Sequence, residues 1–380
     1  MPFGYGPAAK LVALARRLQG DVRLVFVGEG STLELVSRTT GVFDAVVAGN
    51  PAGDAAAPWL RKADAVLTIM DRDAGDAAAR ASKPLFAVDS LLWMRPEVPA
   101  ALRGARIYWA QRLPDAAPCD YEPRPSWVGP LVAPRRGAPR PRRGLVVNLG
   151  GSRAPDDRRR LFGAYARIAL RAVLAAGLAS RFGRIDVIGG EQAIAALAEE
   201  PADPRVELGT LAPDDARERM AGAAALLTAP GLTTTLEAFL DRTPTWFLPP
   251  QNYSQWCGLR RLRAWGVAEG ALHWEDLPGA PRLAERMPQD AHARIAPPAI
   301  EAACADADVA ARLCASLRRV GDDPDERIAA QSAFFASLGS SGLDEVASAL
   351  RCFFASDEMR SRDPEALFQQ PMPRSPAWTS

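Results

Sequence analysis

Apolar positions along the chain fall into two alternating patterns: short unbroken runs, and stripes that recur every three or four residues. Residues 10–18 place Leu11, Leu14, Ala15 and Leu18 on one face, which predicts a helix. The largely apolar stretch over 22–27 predicts a buried strand, and 31–37 the next helix. Further strands are expected over 45–47, 65–69, 85–88 and 106–109. Strands that alternate with helices imply a parallel sheet covered on both faces. Around 129–143 the pattern lapses into a segment dense in Pro and Arg with little to bury, which predicts a linker. The alternation restarts with strands over 144–149, 185–188, 224–228 and 245–248 and helices over about 157–178 and over 232–240. From about residue 298 the spacing is helical, and 343–354 is amphipathic enough to pack across both halves. The expected fold class is α/β, with two tandem Rossmann-like doubly wound domains and a C-terminal helical extension. The units are 1–132, a linker at 133–143, 144–340, a helix within 341–363 that crosses back, and a loose tail at 364–380.

The turn Gly4-Tyr5-Gly6-Pro7 runs into the first helix as the first strand-to-helix loop of such a domain does, yet nothing before it can serve as the strand. Either the start lies roughly ten residues upstream, a strand plus its flank, or the first strand is missing.

Composition narrows the function. The 46 basic residues against 45 acidic ones leave a formal net charge of +1, which argues against a general electrostatic grip on nucleic acid or an anionic membrane. Only Lys10, Lys62 and Lys83 are lysines, so arginine dominates and no single arginine run is read as a patch. The five cysteines have no CxxC spacing, and their odd number speaks against a disulfide framework or structural zinc. With two histidines, a histidine-rich metal centre is not expected. No apolar run reaches transmembrane length and no signal peptide is evident, so a cytoplasmic location is expected.

In open α/β sheets ligands bind beyond the carboxyl ends of the strands. Three segments of the second half occupy that position. In the first, Leu145 to Leu149 runs into Gly150-Gly151-Ser152-Arg153, whose exposed N–H groups and arginine suit an anion; a glycine turn without ligand is the plainer alternative. The absence of GxxxxGK[ST] argues against a P-loop NTPase. In the second, Thr228-Ala229-Pro230-Gly231 leads into Leu232-Thr233-Thr234-Thr235-Leu236-Glu237. A helix N-terminus with hydroxyls suits phosphate, and a carboxylate one turn on suits a ribose diol; an N-capped helix with an exposed Glu is the alternative. In the third, Phe247-Leu248-Pro249-Pro250 precedes Gln251, Asn252 and Gln255, amides that suit sugar hydroxyls or simply form a polar loop.

The succession of glycine loop, Pro-Gly-Thr helix with Glu, and Pro-Pro-Gln-Asn-x-x-Gln resembles the donor-binding half of the GT-B glycosyltransferases. It is most similar to the branch containing the bacterial UDP-N-acetylglucosamine transferase of lipid II synthesis, where Gly, a hydroxyl residue and Glu stand at the spacing of Gly231, Thr234 and Glu237. The resemblance implies that Glu237 holds the ribose, Thr233 and Thr234 the diphosphate, and Gln255 with Asn252 or Gln251 the donor sugar. It also implies that the Gly209-Thr210-Leu211 segment reads the uracil edge, and that Gly150, Gly151 and Ser152, with Arg153, form the second-domain glycine loop. Residues 1–132 would then bind the acceptor, with Gly4 and Gly6 in the first glycine loop, and 144–340 the nucleotide sugar, without a metal or other cofactor. The run GYGPAAK, then VDSLLW, further resembles cytosylglucuronate synthases of nucleoside-antibiotic pathways, implying transfer of glucuronate from UDP-glucuronate to cytosine, with Arg153, Arg260 or Arg261 on the carboxylate.

Two residues depart from the family pattern. Pro230 removes a backbone donor before Gly231, and Pro7 stands near the place where many members carry a histidine. Asp89, at the end of the 85–88 strand, is the candidate catalytic base, with Asp71 and Asp73 in similar settings; a turn aspartate is the alternative for each. Trp93, Tyr108 and Trp109 are read as acceptor-pocket or core residues, and His273 and His292 as surface residues. The expected activity is inverting transfer of a sugar from a UDP-sugar to a small acceptor. The alternatives are a non-catalytic nucleotide-sugar-binding partner of a transferase, or a nucleotide-sugar hydrolase or epimerase.

Overall fold

The computed structural model describes residues 5–114, 119–135, 141–151 and 159–356. Gly4, Ser152, Arg153, residues 136–140 of the linker and the 364–380 tail lie outside the described residues.

The strands are β1 Val25–Gly28, β2 Ala45–Ala48, β3 Val66–Ile69, β4 Leu85–Asp89, β5 Ile107–Gln111, β6 Ser126–Val128, β7 Leu145–Asn148, β8 Ile185–Ile188, β9 Val206–Gly209, β10 Ala225–Thr228 and β11 Thr245–Phe247. Every pairing among them is parallel. The second half forms one sheet in the order β11-β10-β7-β8-β9, so the winding reverses between β7 and β10. That reversal opens a crevice at the carboxyl ends of these two strands, the ligand position of a doubly wound fold. All four residues of β7 and of β10 are buried, as unbroken apolar runs covered on both faces require.

The first half departs from this regularity. Its strands form a pair, β1-β2, and a separate sheet, β3-β4-β5-β6; among the described residues no strand joins β1 to β3. The helix Gly6–Leu18 spans the two pieces instead. Its Leu14 and Leu18 pack with Ile69 and Phe86 of the larger sheet, while Ala8, Val12 and Ala15 pack with Phe26, Leu35 and Val36. The helix begins at Gly6, four residues before the predicted start, because Pro7 suits a first turn whose N–H groups lack partners anyway. The strand expected over 22–27 starts only at Val25: the Leu24 N–H donates to the Asp44 carboxylate at 2.6 Å instead of joining a ladder. The helix expected over 157–178 ends at Ala175, where Gly177 turns left-handed (φ 75°). Neither β6 nor β9 was expected from the apolar pattern.

The helical C-terminal region closes the fold. Ser341 caps the helix Gly342–Phe354 by accepting from the Asp344 N–H at 3.3 Å. Its stripe of Leu343, Val346, Ala347, Leu350 and Phe353 buries against Leu14, Phe86, Trp109 and Val128 of the first half. Each large side chain buried this way contributes about 1.5–3 kcal/mol. The chain passes so closely here that a Cβ on Gly129 would lie 1.7 Å from the Ser340 carbonyl oxygen. At the other edge, Gln331 donates to the Thr245 carbonyl (2.7 Å) and accepts from the Thr245 N–H (3.3 Å), satisfying backbone that the edge strand β11 would leave bare.

Candidate functional site

The crevice between β7 and β10 is held by one amide. Asn148, the last residue of β7, accepts from the Gly150 N–H at 3.0 Å and donates to Thr228 Oγ1 on β10 at 3.1 Å. The loops that follow β7 and β10 are thereby fixed to each other. Gly150 adopts φ 75°, and Gly151 lies under the Tyr5 ring of the first half, where a Cβ would come within 1.9 Å of Tyr5 Cδ2. The expected glycine loop therefore also serves as a contact between the two halves.

After β10, Pro230 and Gly231 lead into the helix Leu232–Leu240. Its N-cap is Gly231, which offers no side-chain acceptor, and the first intrahelical bond runs from the Thr235 N–H to the Gly231 carbonyl at 2.9 Å. The N–H groups of the first turn lack intrahelical acceptors and point out of the helix end, where the dipole favours an anion. Thr233, in this turn, is buried and accepts a hydrogen bond from the Lys10 ammonium of the helix Gly6–Leu18. Gly6 approaches from the same side: a Cβ there would sit 3.1 Å from Thr233 Oγ1.

Glu237 lies one turn deeper, its side chain 20% exposed, with Arg217 at 3.8 Å. Arg217 is committed chiefly to Asp241, to which it donates at 3.0 and 3.2 Å. Burial raises the Glu237 carboxyl above its ordinary range, opposed by the charges of Arg217 and Lys10. Burial also lowers Lys10, only 3% exposed, to about 8, with Glu237 and Asp89 pulling the other way. The crevice thus holds a buried ammonium, the Glu237 carboxylate and a helix N-terminus.

The third segment folds onto the same place. Gln251 donates to the Leu149 carbonyl at 2.7 Å, and its backbone N–H donates to Gln255 Oε1 at 2.8 Å. Asn252 caps the helix Tyr253–Ala264, accepting from the Gln255 N–H at 3.0 Å and the Ser254 hydroxyl at 2.8 Å. Gln255 Nε2 lies 3.8 Å from the position of a Cβ on Gly231. Gln251 is 4% exposed, and its Oε1 has no hydrogen-bond partner. The three segments separated in sequence therefore converge on one crevice, with Gln255 between Gln251 and Gly231. Leu211, just beyond β9, packs on the apolar group that contains Val146, Ile188 and Leu226.

In the first half, Asp89 is 0% exposed. It accepts from the Leu91 N–H (2.7 Å) and the Tyr108 hydroxyl (2.8 Å) and pairs with Arg95 (3.2 Å). A carboxylate so enclosed organises its neighbours. Asp71 caps the helix Arg72–Arg80, and Asp73 accepts from the Asn50 amide at 2.8 Å. Trp93, Tyr108 and Trp109 are all buried core residues. Trp93 donates to the Ser90 carbonyl at 3.2 Å and carries the Arg261 guanidinium 5.3 Å from its ring centre. Arg261 also binds Glu285 at 2.5 Å, and Arg260 binds Glu275, so both arginines have carboxylate partners of their own.

The two histidines are not surface residues. His273 is 1% exposed and accepts from the Glu275 N–H at Nδ1 (3.1 Å), so Nε2 donates to the Trp256 carbonyl (2.9 Å). Burial lowers its pKa, in keeping with a neutral capping residue. His292 is half-buried and stacks on Tyr253, with ring centres 4.1 Å apart.

Two polar residues of the first half went unnoticed in the sequence. The apolar spacing places Lys10 at the start of an amphipathic helix. Its signal was its place four residues before Leu14 and eight before Leu18, on the buried stripe, in a chain almost devoid of lysine. Gln111 ends β5 fully buried, with neither amide atom partnered. Among the described residues no cluster of three His, Cys, Asp or Glu side chains is arranged to hold a metal, and no helix is long and apolar enough to cross a membrane.

No protein-family model matches the sequence, and no curated protein matches it. Solved structures match over almost its whole length. UGT89C1 of Arabidopsis thaliana, complexed with quercetin, aligns with a TM-score of 0.57 at 10% identity, covering 93% of this chain and 98% of that one. LpCGTa, in complex with UDP, gives 0.52 at 12%, covering 93% and 97%. The glycosyltransferase SnogD from Streptomyces nogalater gives 0.52 at 15%, covering 91% and 95%. The chain has the GT-B glycosyltransferase fold.

Proposed function

We propose that this protein is an inverting glycosyltransferase that takes a sugar from a UDP-sugar, bound in the crevice of the second half, to a small acceptor held by the first. The observation that carries this reading is the convergence of the Gly150-Gly151 loop, the Thr233 helix end with Glu237, and Gln255 at the switch point between β7 and β10. In this arrangement Glu237 accepts from the ribose hydroxyls and Thr233 and Thr234 meet the diphosphate. Gln251, Asn252 and Gln255 face the sugar, the Gly150-Gly151 turn lies beside it, and Leu211 borders the base; Ser152 and Arg153 follow that turn in the sequence.

An acceptor nucleophile attacks the anomeric carbon from the side opposite the diphosphate, the bond to UDP breaks, the acceptor's proton passes to solvent, and the centre inverts. Negative charge grows on the departing diphosphate at the N-terminus of the helix Leu232–Leu240, where oriented N–H groups need no reorganisation to stabilise it. Each charge-assisted hydrogen bond there is worth about 1.5–3 kcal/mol, so a few supply leaving-group assistance without a metal.

The finer reading is transfer of glucuronate from UDP-glucuronate to cytosine. Since Arg260 and Arg261 have carboxylate partners, the glucuronate carboxylate falls to Arg153 or to the Gly150-Gly151 loop. The enclosure of Asp89 favours a second reading, a non-catalytic nucleotide-sugar-binding partner of another transferase. Calorimetric titration with UDP, UDP-glucuronate and UDP-N-acetylglucosamine in chelator, followed by mass analysis of mixtures containing cytosine or other small acceptors, separates the readings. A glycosylated product with release of UDP supports the transferase. Donor binding without turnover over a broad acceptor set supports the partner protein, and no binding of any uridine nucleotide refutes both.

A further inference from the structure

We propose that Lys10 binds the donor diphosphate directly, as a ligand that the first half contributes across the cleft. The proposal rests on the donor reading above and deepens it. Lys10 lies within GPAAKLVALARRL, a helix whose buried face is otherwise made of Ala, Val and Leu. An ammonium buried there is costly unless something compensates it. The hydrogen bond it makes is to a neutral hydroxyl, Thr233 Oγ1. The charged groups facing it are Glu237 on the helix Leu232–Leu240 and Asp89 at the end of β4. Asp89 already serves Tyr108, Arg95 and the Leu91 N–H, and Glu237 lies near Arg217. Neither makes a direct hydrogen bond to Lys10.

The contact falls at the first turn of the helix end assigned to phosphate. In the same crevice Gln251 Oε1 is buried beside Gly150 without a donor, an acceptor that suits a sugar hydroxyl and not the diphosphate itself. A diphosphate seated on the N–H groups of this turn meets the Lys10 ammonium where Thr233 now does. The proton stays on Nζ, and the nucleoside makes no use of the charge.

The consequence is a coupling between donor binding and domain approach. Lys10, Gly6 and Tyr5 all reach Thr233 or Gly151 from one short stretch of the first half. The diphosphate therefore gains its cation only when the halves are together, and uridine alone gives no such gain.

The test is calorimetric titration of wild type, Lys10→Met and Lys10→Arg with uridine and with UDP, at pH 7 and at pH 9.5. Lys10→Met is expected to weaken UDP roughly 10- to 100-fold, the range for a lost charge-assisted bond, and to leave uridine unchanged. Lys10→Arg is expected to keep most of the UDP affinity. The wild type is expected to bind UDP less well at pH 9.5, because the ammonium is present below about 8 and lost above it, whereas Lys10→Arg holds its affinity. Unchanged UDP binding by Lys10→Met overturns the proposal, and so does equal loss of uridine and UDP, which marks a structural role. Failure of the wild type to bind UDP overturns the donor reading itself, a result distinct from either.

Discussion

Lys10 and Thr233, 223 positions apart in the chain, meet by a buried hydrogen bond that joins the two halves. The helix carrying Lys10 also bridges the divided sheet of the first half, through Leu14 and Leu18 on one side and Val12 and Ala15 on the other. One element therefore sets the architecture of the first half and delivers a charge to the second.

That charge lowers stability. Burial moves Lys10 from 10.5 to about 8, and at about 1.4 kcal/mol per pH unit the ammonium costs the folded state about 3 kcal/mol. The loss of the Thr233 hydrogen bond offsets part of the relief when Lys10 is removed. Lys10→Met is expected to be more stable than wild type by about 1–3 kcal/mol at pH 7 in urea unfolding, even as donor binding suffers. Between about pH 8 and 10.5 the unfolded chain holds this proton and the folded one does not, so wild-type stability gains on the variant as pH rises through that window. A variant less stable than wild type at pH 7 contradicts this account of Lys10.

Asp89 makes the opposite prediction. Asp89→Asn leaves Arg95 without its carboxylate and disturbs the Tyr108 hydroxyl, so a loss of about 1–3 kcal/mol in stability is expected. A catalytic base would behave otherwise, with a large fall in turnover at unchanged stability. Thermal unfolding of the variant beside its turnover decides between a positioning and a catalytic role.

The crossing of the C-terminal helix onto the first half is tested at Gly129. A methyl there would meet the Ser340 carbonyl oxygen at 1.7 Å, and backbone cannot move aside as a side chain can. Gly129→Ala is expected to destabilise by about 1–3 kcal/mol through overpacking. The same change at Gly104, which has open space around it, is expected to be near neutral. Equal unfolding midpoints for the two variants would contradict the close crossing.

The second half was the more legible in sequence. Its strands β7, β10 and β11 are mostly apolar and buried at every position, β8 departs from this only at Asp186, and the residues that follow three of them are the turn and helix-opening types that such loops require. The edge strands β6 and β9 escaped because Ser126-Trp127-Val128 and Val206-Glu207-Leu208-Gly209 are short and only partly buried, and half-buried runs of that length carry little periodic signal. His273 escaped for a related reason. A capping residue is recognised from the backbone it bonds, and Leu272-His273-Trp274-Glu275-Asp276 shows its reciprocal cap, with Asp276 accepting from the His273 N–H at 2.9 Å, only once folded. The pairing of Lys10 with Thr233 joins distant segments, which no local pattern encodes.

The claim on which the functional reading rests is that Glu237 holds the ribose of a uridine nucleotide. The direct measurement is the UDP affinity of Glu237→Ala against wild type by calorimetry, with circular dichroism confirming the fold. Loss of a charged hydrogen bond predicts a weakening of about 1–3 kcal/mol, about 5- to 150-fold in Kd. Undiminished UDP affinity in the folded variant would contradict the placement of the nucleotide at the helix Leu232–Leu240.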